Sequence, residues 1–348
     1  MTPNDQPARA AAGDPSPDRL PLLDAESDRQ SGCGEGCGCA DGEADQESGL
    51  DPALAEVLYA DGLDPLLVED IALVALAEDQ DEHGTGDVTT LATIAEDAVS
   101  VGDFTARQAG TVAGLHIAEA VLSVAATADL EVERHVADGD RVEAGQRLLT
   151  VTTRTRDLLV GERPALNLLC RLSGVATATR AWVDALEGTG ATVRDTRKTT
   201  PGLRALEKFA VRCGGGENHR MSLSDAALIK DNHVVAAGGV TAAFKAVRSA
   251  YPDLPVEVEV DRLDQIEPVL AEGADLILLD NFTPALTAEA VALVAGRARL
   301  ESSGGLTLAN AEEYGRTGVD HIAVGALTHS APILDIGLDL RESADGGN

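Results

Sequence analysis

Apolar and polar positions follow three successive rhythms along this chain. Residues 1–48 carry almost no large apolar side chains and are rich in Gly, Pro, Asp, Glu, Ser and Ala. Such a stretch buries too little surface to offset its ordering entropy, so a disordered acidic extension is expected. Apolar positions then recur at helical spacing: Leu54, Val57 and Leu58, followed by Leu67, Ile71, Val74 and Ala75. "GTGDVTT" interrupts this pattern as a loop. From about 100 to 153 the pattern turns strand-like, and "HVADGDRVEAGQRLLTV" reads as two short strands around Gly turns. "DLLVGERPALNLLCRLSGVATATRAWVDAL" is helical again, with Pro164 allowed in a first turn.

The third rhythm alternates short apolar strands with helices. The strands are "ATVRDTR" (191–197), "ALIKDN" (227–232), "VEVEV" (256–260), "LILLDN" (276–281), "LESSG" (300–304) and "HIAVGAL" (321–327). Strand–helix–strand repetition at this spacing predicts parallel strands joined by right-handed crossovers. Six or seven such units predict a barrel close to the (β/α)₈ type with fewer strands.

Composition changes this picture in three ways. Aromatic residues are only 2% of the chain, so the core is built from Ala, Val, Leu and Ile. A net charge of −32 argues against a nucleic-acid or anionic-membrane surface. The longest apolar runs, such as "IALVALA" (71–77), are far too short to span a bilayer, and the first residues lack the pattern of a secretory signal. A cytoplasmic protein is expected. The cysteine count is odd, and Cys33, Cys37 and Cys39 crowd into "SGCGEGCGCA", which is no disulfide framework. Those three suit a soft metal or redox site, or are idle thiols on a flexible tail; no fourth ligand lies nearby.

Scarce cations gather in one place. Residues 193–220, "VRDTRKTTPGLRALEKFAVRCGGGENHR", hold five Arg, two Lys and three acids, net +4. In a barrel the carboxyl ends of the strands form one rim. The expected strands end on Arg197 and Lys198, Lys230, Glu259, Asp280, Ser303 with Gly304 and Gly305, and Gly325. Any one of these alone reads as a solvated loop residue; six together predict a site. Arg197, Lys198, Arg220 and Lys230, with Arg163 from the preceding helix, would form a cationic wall for a ligand with several negative groups. His219 adds a donor. Arg204, Lys208 and Arg212, on the intervening helix, can instead pair with nearby acids. Glu259 and Asp280 form an opposite wall. They could hold Mg²⁺ together with substrate phosphates, hydrogen-bond ribose hydroxyls, or stabilise a sugar cation. Gly-rich "SSGG" and "VGAL" offer backbone N–H groups to a phosphate. Neither a G-x-x-x-x-G-K-[ST] loop nor a strand-borne G-x-G-x-x-G appears, which disfavours P-loop and Rossmann enzymes. Cys170 reads as buried and inert; Cys213 lies among cations that would depress its pKa, but it has no base partner.

In order along the chain, "ERPALNLLCRLSGVAT", "DTRKTTPGLR", "KFAVRCGGGENHR", "LIKDNH", "VEVEV", "LILLDN" and "VGALTHSAPILDIGLDL" resemble the quinolinate phosphoribosyltransferase family over about residues 51–341. The resemblance implies an α/β fold: an N-terminal open α/β sandwich domain (49–167) and an incomplete (β/α) barrel of about seven strands (168–341). The last segment of the barrel region can pack back on the first domain, and 342–348 is a tail. It implies conversion of quinolinate and phosphoribosyl pyrophosphate to nicotinate mononucleotide, pyrophosphate and CO₂, with Mg²⁺, in NAD synthesis. It also implies a homodimer or higher homo-oligomer with shared sites. Arg163 would reach the partner's site, Arg197, His219, Arg220 and Lys230 would hold the quinolinate carboxylates, and Thr196 would also bind substrate. Lys198, Glu259 and Asp280 would act on the phosphoribosyl pyrophosphate, Glu259 and Asp280 also holding Mg²⁺, directly or through water. Ser303, Gly304, Gly305, Gly325, Ala326 and Leu327 would receive the 5′-phosphate, with His329 nearby. Ser222 stands where the family pattern leads one to expect Gly, so the loop backbone there is expected to differ slightly. Three other readings compete: a related phosphoribosyltransferase with another pyridine or base, a carrier module and a metal-binding tail. "DGDRVEAGQ" resembles a biotinyl-type hairpin, but no Lys lies between residues 1 and 197.

Overall fold

The computed structural model describes residues 48–80 and 86–341. The acidic extension and its Cys33, Cys37 and Cys39 lie outside the described residues.

The helices are α1 (Pro52–Ala60), α2 (Pro65–Glu78), α3 (Val88–Thr93), α4 (Leu115–Ala125), α5 (Thr155–Ala185), α6 (Arg204–Cys213), α7 (Asp231–Ala237), α8 (Val240–Ala250), α9 (Ile266–Ala271), α10 (Pro284–Val294), α11 (Ala311–Gly315) and α12 (Ala326–His329). The strands are β1 (Val99–Ala106), β2 (Gly110–Thr111), β3 (Glu131–Arg134), β4 (Arg141–Val142), β5 (Arg147–Arg154), β6 (Thr192–Arg194), β7 (Ala227–Ile229), β8 (Val256–Val260), β9 (Leu276–Asp280), β10 (Arg299–Ser303), β11 (His321–Ala323) and β12 (Ile336–Arg341).

Several helix starts are written in the sequence. Asp51 and Asp64 each precede a Pro at the first helical position, and their carboxylates accept from Ala53 N (2.9 Å) and Leu66 N (3.0 Å). Thr283 caps Pro284 in the same way through Leu286 N at 3.3 Å. A Pro there loses no intrahelical bond, and the cap oxygen satisfies an orphan donor.

An antiparallel sheet of order β12-β1-β5-β3 carries the N-terminal half. Its edge strand β12 comes from the far end of the described chain, with Val101 opposite Arg341 and Ala106 opposite Ile336. The second sheet, β6-β11-β10-β9-β8-β7, is parallel throughout and open between β6 and β7. These six strands are the six expected from the sequence. On the free edge of β6 a single parallel bridge, Arg194 to Glu217, adds the only trace of a seventh stave among the described residues. The barrel is therefore incomplete.

Helix α5 is the spine, 31 residues long, and it runs across position 167, where the domain boundary was expected. A Cβ on Gly161 would lie 3.0 Å from Leu122 and 3.2 Å from Ala125 of α4, so the two helices touch closely there. Gly174 sits under the 332–333 backbone, where an added Cβ would meet Pro332 O at 2.1 Å.

Three expectations need correction. Leu115–Ala125 is a helix inside the stretch read as strand-like; Leu115, Ala118, Val121 and Leu122 supply its buried face at helical spacing. Helix α2 buries Pro65, Val68, Ala72 and Leu76, whereas Val74 is 60% exposed. That helix is apolar on every side, so periodicity could not select its inner face. Pro164 lies well inside α5. It forfeits one backbone bond to Val160, and its buried position shows that packing retains the helix.

Candidate active site

The carboxyl ends of the parallel strands surround a cavity of about 480 Å³. Thr196, Arg197, Lys198, His219, Arg220 and Lys230 line it. Glu259, Asp280 and Ser303 line it from β8, β9 and β10, with Leu228, Leu278, Glu301 and Ala323 deeper. Thus nine of the residues expected from sequence converge. Gly325 adjoins them: a Cβ there would lie 3.1 Å from Lys198 Cδ, 3.3 Å from His329 Nε2 and 3.4 Å from Thr196 Oγ1. Gly304 and Gly305 follow β10 with φ of 90° and 66°, a backbone that only glycine adopts cheaply. Ala326 is exposed, while Leu327 is 1% exposed, so its side chain belongs to the core and only its backbone can serve a ligand. Arg163 does not line this cavity. It projects from α5 with its side chain 63% exposed, 3.8 Å from Glu162.

The cation island is braced by helix α6, and these braces were largely missed in the sequence. Lys208 and Asp195 form an ion pair, both side chains fully buried. Asp195 also accepts from His219 N at 2.8 Å and Asn218 Nδ2 at 2.6 Å, and Lys208 Nζ donates to His219 O at 2.8 Å. The residue before Lys208, buried Glu207, accepts from Thr200 N (2.9 Å), Thr200 Oγ1 (2.7 Å) and Arg171 Nη2 (2.8 Å). Glu207 thus fixes the loop after Lys198, and Lys208 fixes the loop before Arg220. Thr328 Oγ1 donates to Lys198 O at 2.8 Å and ties α12 to the same loop. Arg204 donates to Thr199 Oγ1 and Met221 O, and Arg212 to Asn218 Oδ1, so among the described residues only Lys208 of the three makes an acid pair. Ser222 needs no glycine: among the described residues only Asn281 (φ 56°) and Ala295 (φ 49°) have positive φ without being Gly. Its loop closes instead on Asp225, which accepts from Met221 N (2.6 Å) and Ser222 N (3.0 Å).

Electrostatics prepare the cavity for anions. Burial lowers the Arg220 pKa, and the neighbouring Arg197 guanidinium lowers it further. Like charges held together this way are relieved by a bound anion. In the same cavity, burial pushes the Glu259 carboxyl above its ordinary range; Lys230 opposes this shift and Asp280 adds to it. Lys230 Nζ lies 3.8 Å from Glu259. Asn281, in its left-handed conformation, donates through Nδ2 to Asp280 Oδ2 at 2.8 Å and holds that carboxylate in place. Cys213 does not follow expectation. Burial, with Asp138 and Asp61 beside it, pushes its thiol up to about 12, so the cations nearby do not activate it.

Beneath the rim lies a buried acid layer. His219 Nε2 is 2.7 Å from Glu257 and 3.6 Å from Glu301, while Nδ1 accepts from Arg220 N at 2.7 Å. That bond puts the imidazole proton on Nε2, facing the acids. Arg194 donates to Glu301 at 2.7 Å. Burial and Glu257 push Glu301 up to about 7, against the pull of His219 and Arg194. Folded protein therefore keeps a proton that the unfolded chain releases above its ordinary value of 4.5. Stability contributed by this group falls as pH rises from about 4.5 to about 7. Glu301→Gln, uncharged at every pH, should flatten that slope in urea titrations run from pH 4.5 to 8. An unchanged slope would place the buried proton elsewhere.

Cations and carboxylates brought together in one cavity, at the carboxyl ends of parallel strands, define an α/β-barrel enzyme for small polyanionic substrates. Comparison with known proteins narrows this class. Residues 87–173 match the family model described as quinolinate phosphoribosyl transferase, N-terminal domain, and residues 175–339 match its C-terminal domain. A nicotinate-nucleotide pyrophosphorylase [carboxylating] of Mycobacterium leprae is 55% identical over 258 residues, which is 73% of this chain and 91% of the relative. The probable Bacillus subtilis enzyme of the same name is 39% identical over 76% of this chain and 91% of its own. The solved nicotinate-nucleotide pyrophosphorylase from Francisella tularensis matches with a TM-score of 0.75 at 34% identity, over 79% of this chain and 96% of that one. The chain belongs to the quinolinate phosphoribosyltransferase family.

Proposed function

We propose that this chain converts quinolinate and phosphoribosyl pyrophosphate to nicotinate mononucleotide, pyrophosphate and CO₂, a carboxylating pyrophosphorylase step of NAD synthesis. The observation that carries it is the gathering of Arg197, Arg220 and Lys230 in one cavity with Glu259 and Asp280. A pyridine dicarboxylate supplies the anions that the first three want. Arg forks can each grip one carboxylate in bidentate fashion, and Lys230 adds a point charge. His219, with its ring nitrogens turned to Glu257 and the Arg220 amide, supports Arg220 rather than offering a free donor.

Lys198 would neutralise the pyrophosphate, and Ser303 to Gly305 with Gly325 to Leu327 would receive the 5′-phosphate through backbone N–H groups. The donor set suits Mg²⁺: two carboxylates on neighbouring strands face one cavity, and their mutual repulsion asks for a cation. When bound by Glu259 and Asp280 with the substrate, Mg²⁺ would neutralise charge on the departing pyrophosphate. The pyridine nitrogen pair forms the new C–N bond as the anomeric C–O bond breaks and its electrons leave with pyrophosphate. Glu259 and Asp280 would stabilise the cationic sugar carbon. The carboxylate beside the resulting pyridinium then leaves as CO₂; its bonding pair stays on the ring carbon and takes up a proton.

We further propose a homodimer or higher homo-oligomer working in the cytoplasm. Support comes from Arg163, exposed and outside its own cavity, and from the exposed apolar residues Tyr59, Leu73 and Val74 on α1 and α2. Among the described residues no helix is long and apolar enough to cross a membrane. The test is direct. Purified protein with quinolinate, phosphoribosyl pyrophosphate and Mg²⁺ should yield nicotinate mononucleotide and CO₂ in equal amounts, and nicotinate should not replace quinolinate. Absence of CO₂, or preference for nicotinate, would overturn the assignment.

A further inference from the structure

Asp61, at the end of α1, His116, on α4, and Asp138, in the connection between β3 and β4, meet away from the active cavity. Each offers one ligand atom, and these atoms lie within 4.8 Å of one another. The two oxygens of Asp138 have different fates. Oδ1 accepts from Gly114 N (2.9 Å) and Leu115 N (3.1 Å) and so caps α4. Oδ2 is sealed from solvent and, among the described residues, accepts no hydrogen bond. A buried carboxylate oxygen with no donor is costly, and the carboxyl group that carries it belongs to a cluster with an imidazole and a second carboxylate. His116 Nδ1 lies 3.3 Å from Asp61 Oδ2.

We propose that Asp61, His116 and Asp138 bind one divalent transition-metal ion, Zn²⁺ by their donor set. One imidazole with two carboxylates suits Zn²⁺. Mg²⁺ and Ca²⁺ prefer oxygen alone. Three protein ligands leave a fourth position for water. The ion would join α1, α4 and the β3–β4 connection, and it would supply the partner that Asp138 Oδ2 lacks. This site is independent of the substrate assignment, because none of its residues lines the active cavity.

The test uses the full chain carrying Cys33→Ser, Cys37→Ser and Cys39→Ser, so that tail thiols do not compete. After chelation and dialysis, titration with Zn²⁺ should load one ion per chain by elemental analysis and raise the melting temperature. Co²⁺ in its place should give a visible absorption band. Asp138→Asn keeps a carbonyl oxygen for the Gly114 and Leu115 amides but removes the anionic ligand. His116→Gln keeps side-chain bulk but removes the imidazole. Each variant that folds without metal should bind Zn²⁺ at least about 100-fold more weakly, with quinolinate turnover unchanged. A parent chain that binds no metal, or folded variants that bind as tightly as the parent, would overturn the proposal.

Discussion

Glu259→Ala should lower kcat roughly 10²–10³-fold, the scale lost when one preorganised electrostatic group is removed from a transition state. Glu259 is the penultimate residue of β8, its side chain largely buried, with Asp280 on the neighbouring strand and Lys230 within 3.8 Å. The proposed chemistry builds positive charge on the sugar carbon only as the bond breaks. An anion fixed there acts on the transition state more than on bound substrate, so kcat should change more than KM. Lys198→Ala should instead raise KM for phosphoribosyl pyrophosphate. Because burial raises the Glu259 pKa, the acid limb of the wild-type pH–rate profile should lie above the ordinary carboxylate range. Steady-state kinetics of both variants decide the matter. Wild-type values would remove Glu259 and Lys198 from the mechanism.

Lys208→Met should cost about 3–5 kcal/mol of stability, the penalty for leaving one partner of a buried ion pair alone. Asp195 would remain fully buried, still bonded to His219 N and Asn218 Nδ2 but without its counter-charge. The His219 carbonyl would lose its donor as well. Adding Asp195→Asn should recover much of the loss, since the charge itself is then gone. For contrast, Lys245 pairs with Glu272 at 2.9 Å with its side chain 60% exposed, and Lys245→Met should cost under about 1 kcal/mol. Urea unfolding measures all three. Equal costs for Lys208→Met and Lys245→Met would show that burial of the first pair has no energetic consequence.

The rim was legible in the sequence because parallel strands place their last residues together whatever lies between them. Six short apolar runs gave the strands, and Lys230, Glu259, Asp280 and Ser303 follow from where those runs stop. The acid layer below was less visible, yet a signal existed. Side chains alternate along a strand, so Glu257 shares a face with Glu259, and Glu301 with Ser303. "VEVEV" and "LESS" therefore name both a rim residue and the one beneath it. The inner face of α2 was not legible, because leucines and valines surround it and only tertiary packing chooses among them. Nor was the use of Lys208, since a helix of mixed charge gives no sign of which cation turns inward. Pro164 was placed too near a helix start because the residues before it, 155–161, carry no strong cap: Arg154 makes no side-chain cap bond to α5.

The pairing of β12 with β1 has a consequence for biogenesis. It joins residues such as Asp103 and Arg341, 238 positions apart. During synthesis β1 emerges long before its outer neighbour exists, and it must wait with that flank unzipped while the whole barrel is translated. The first-made layer is thus the last to be completed.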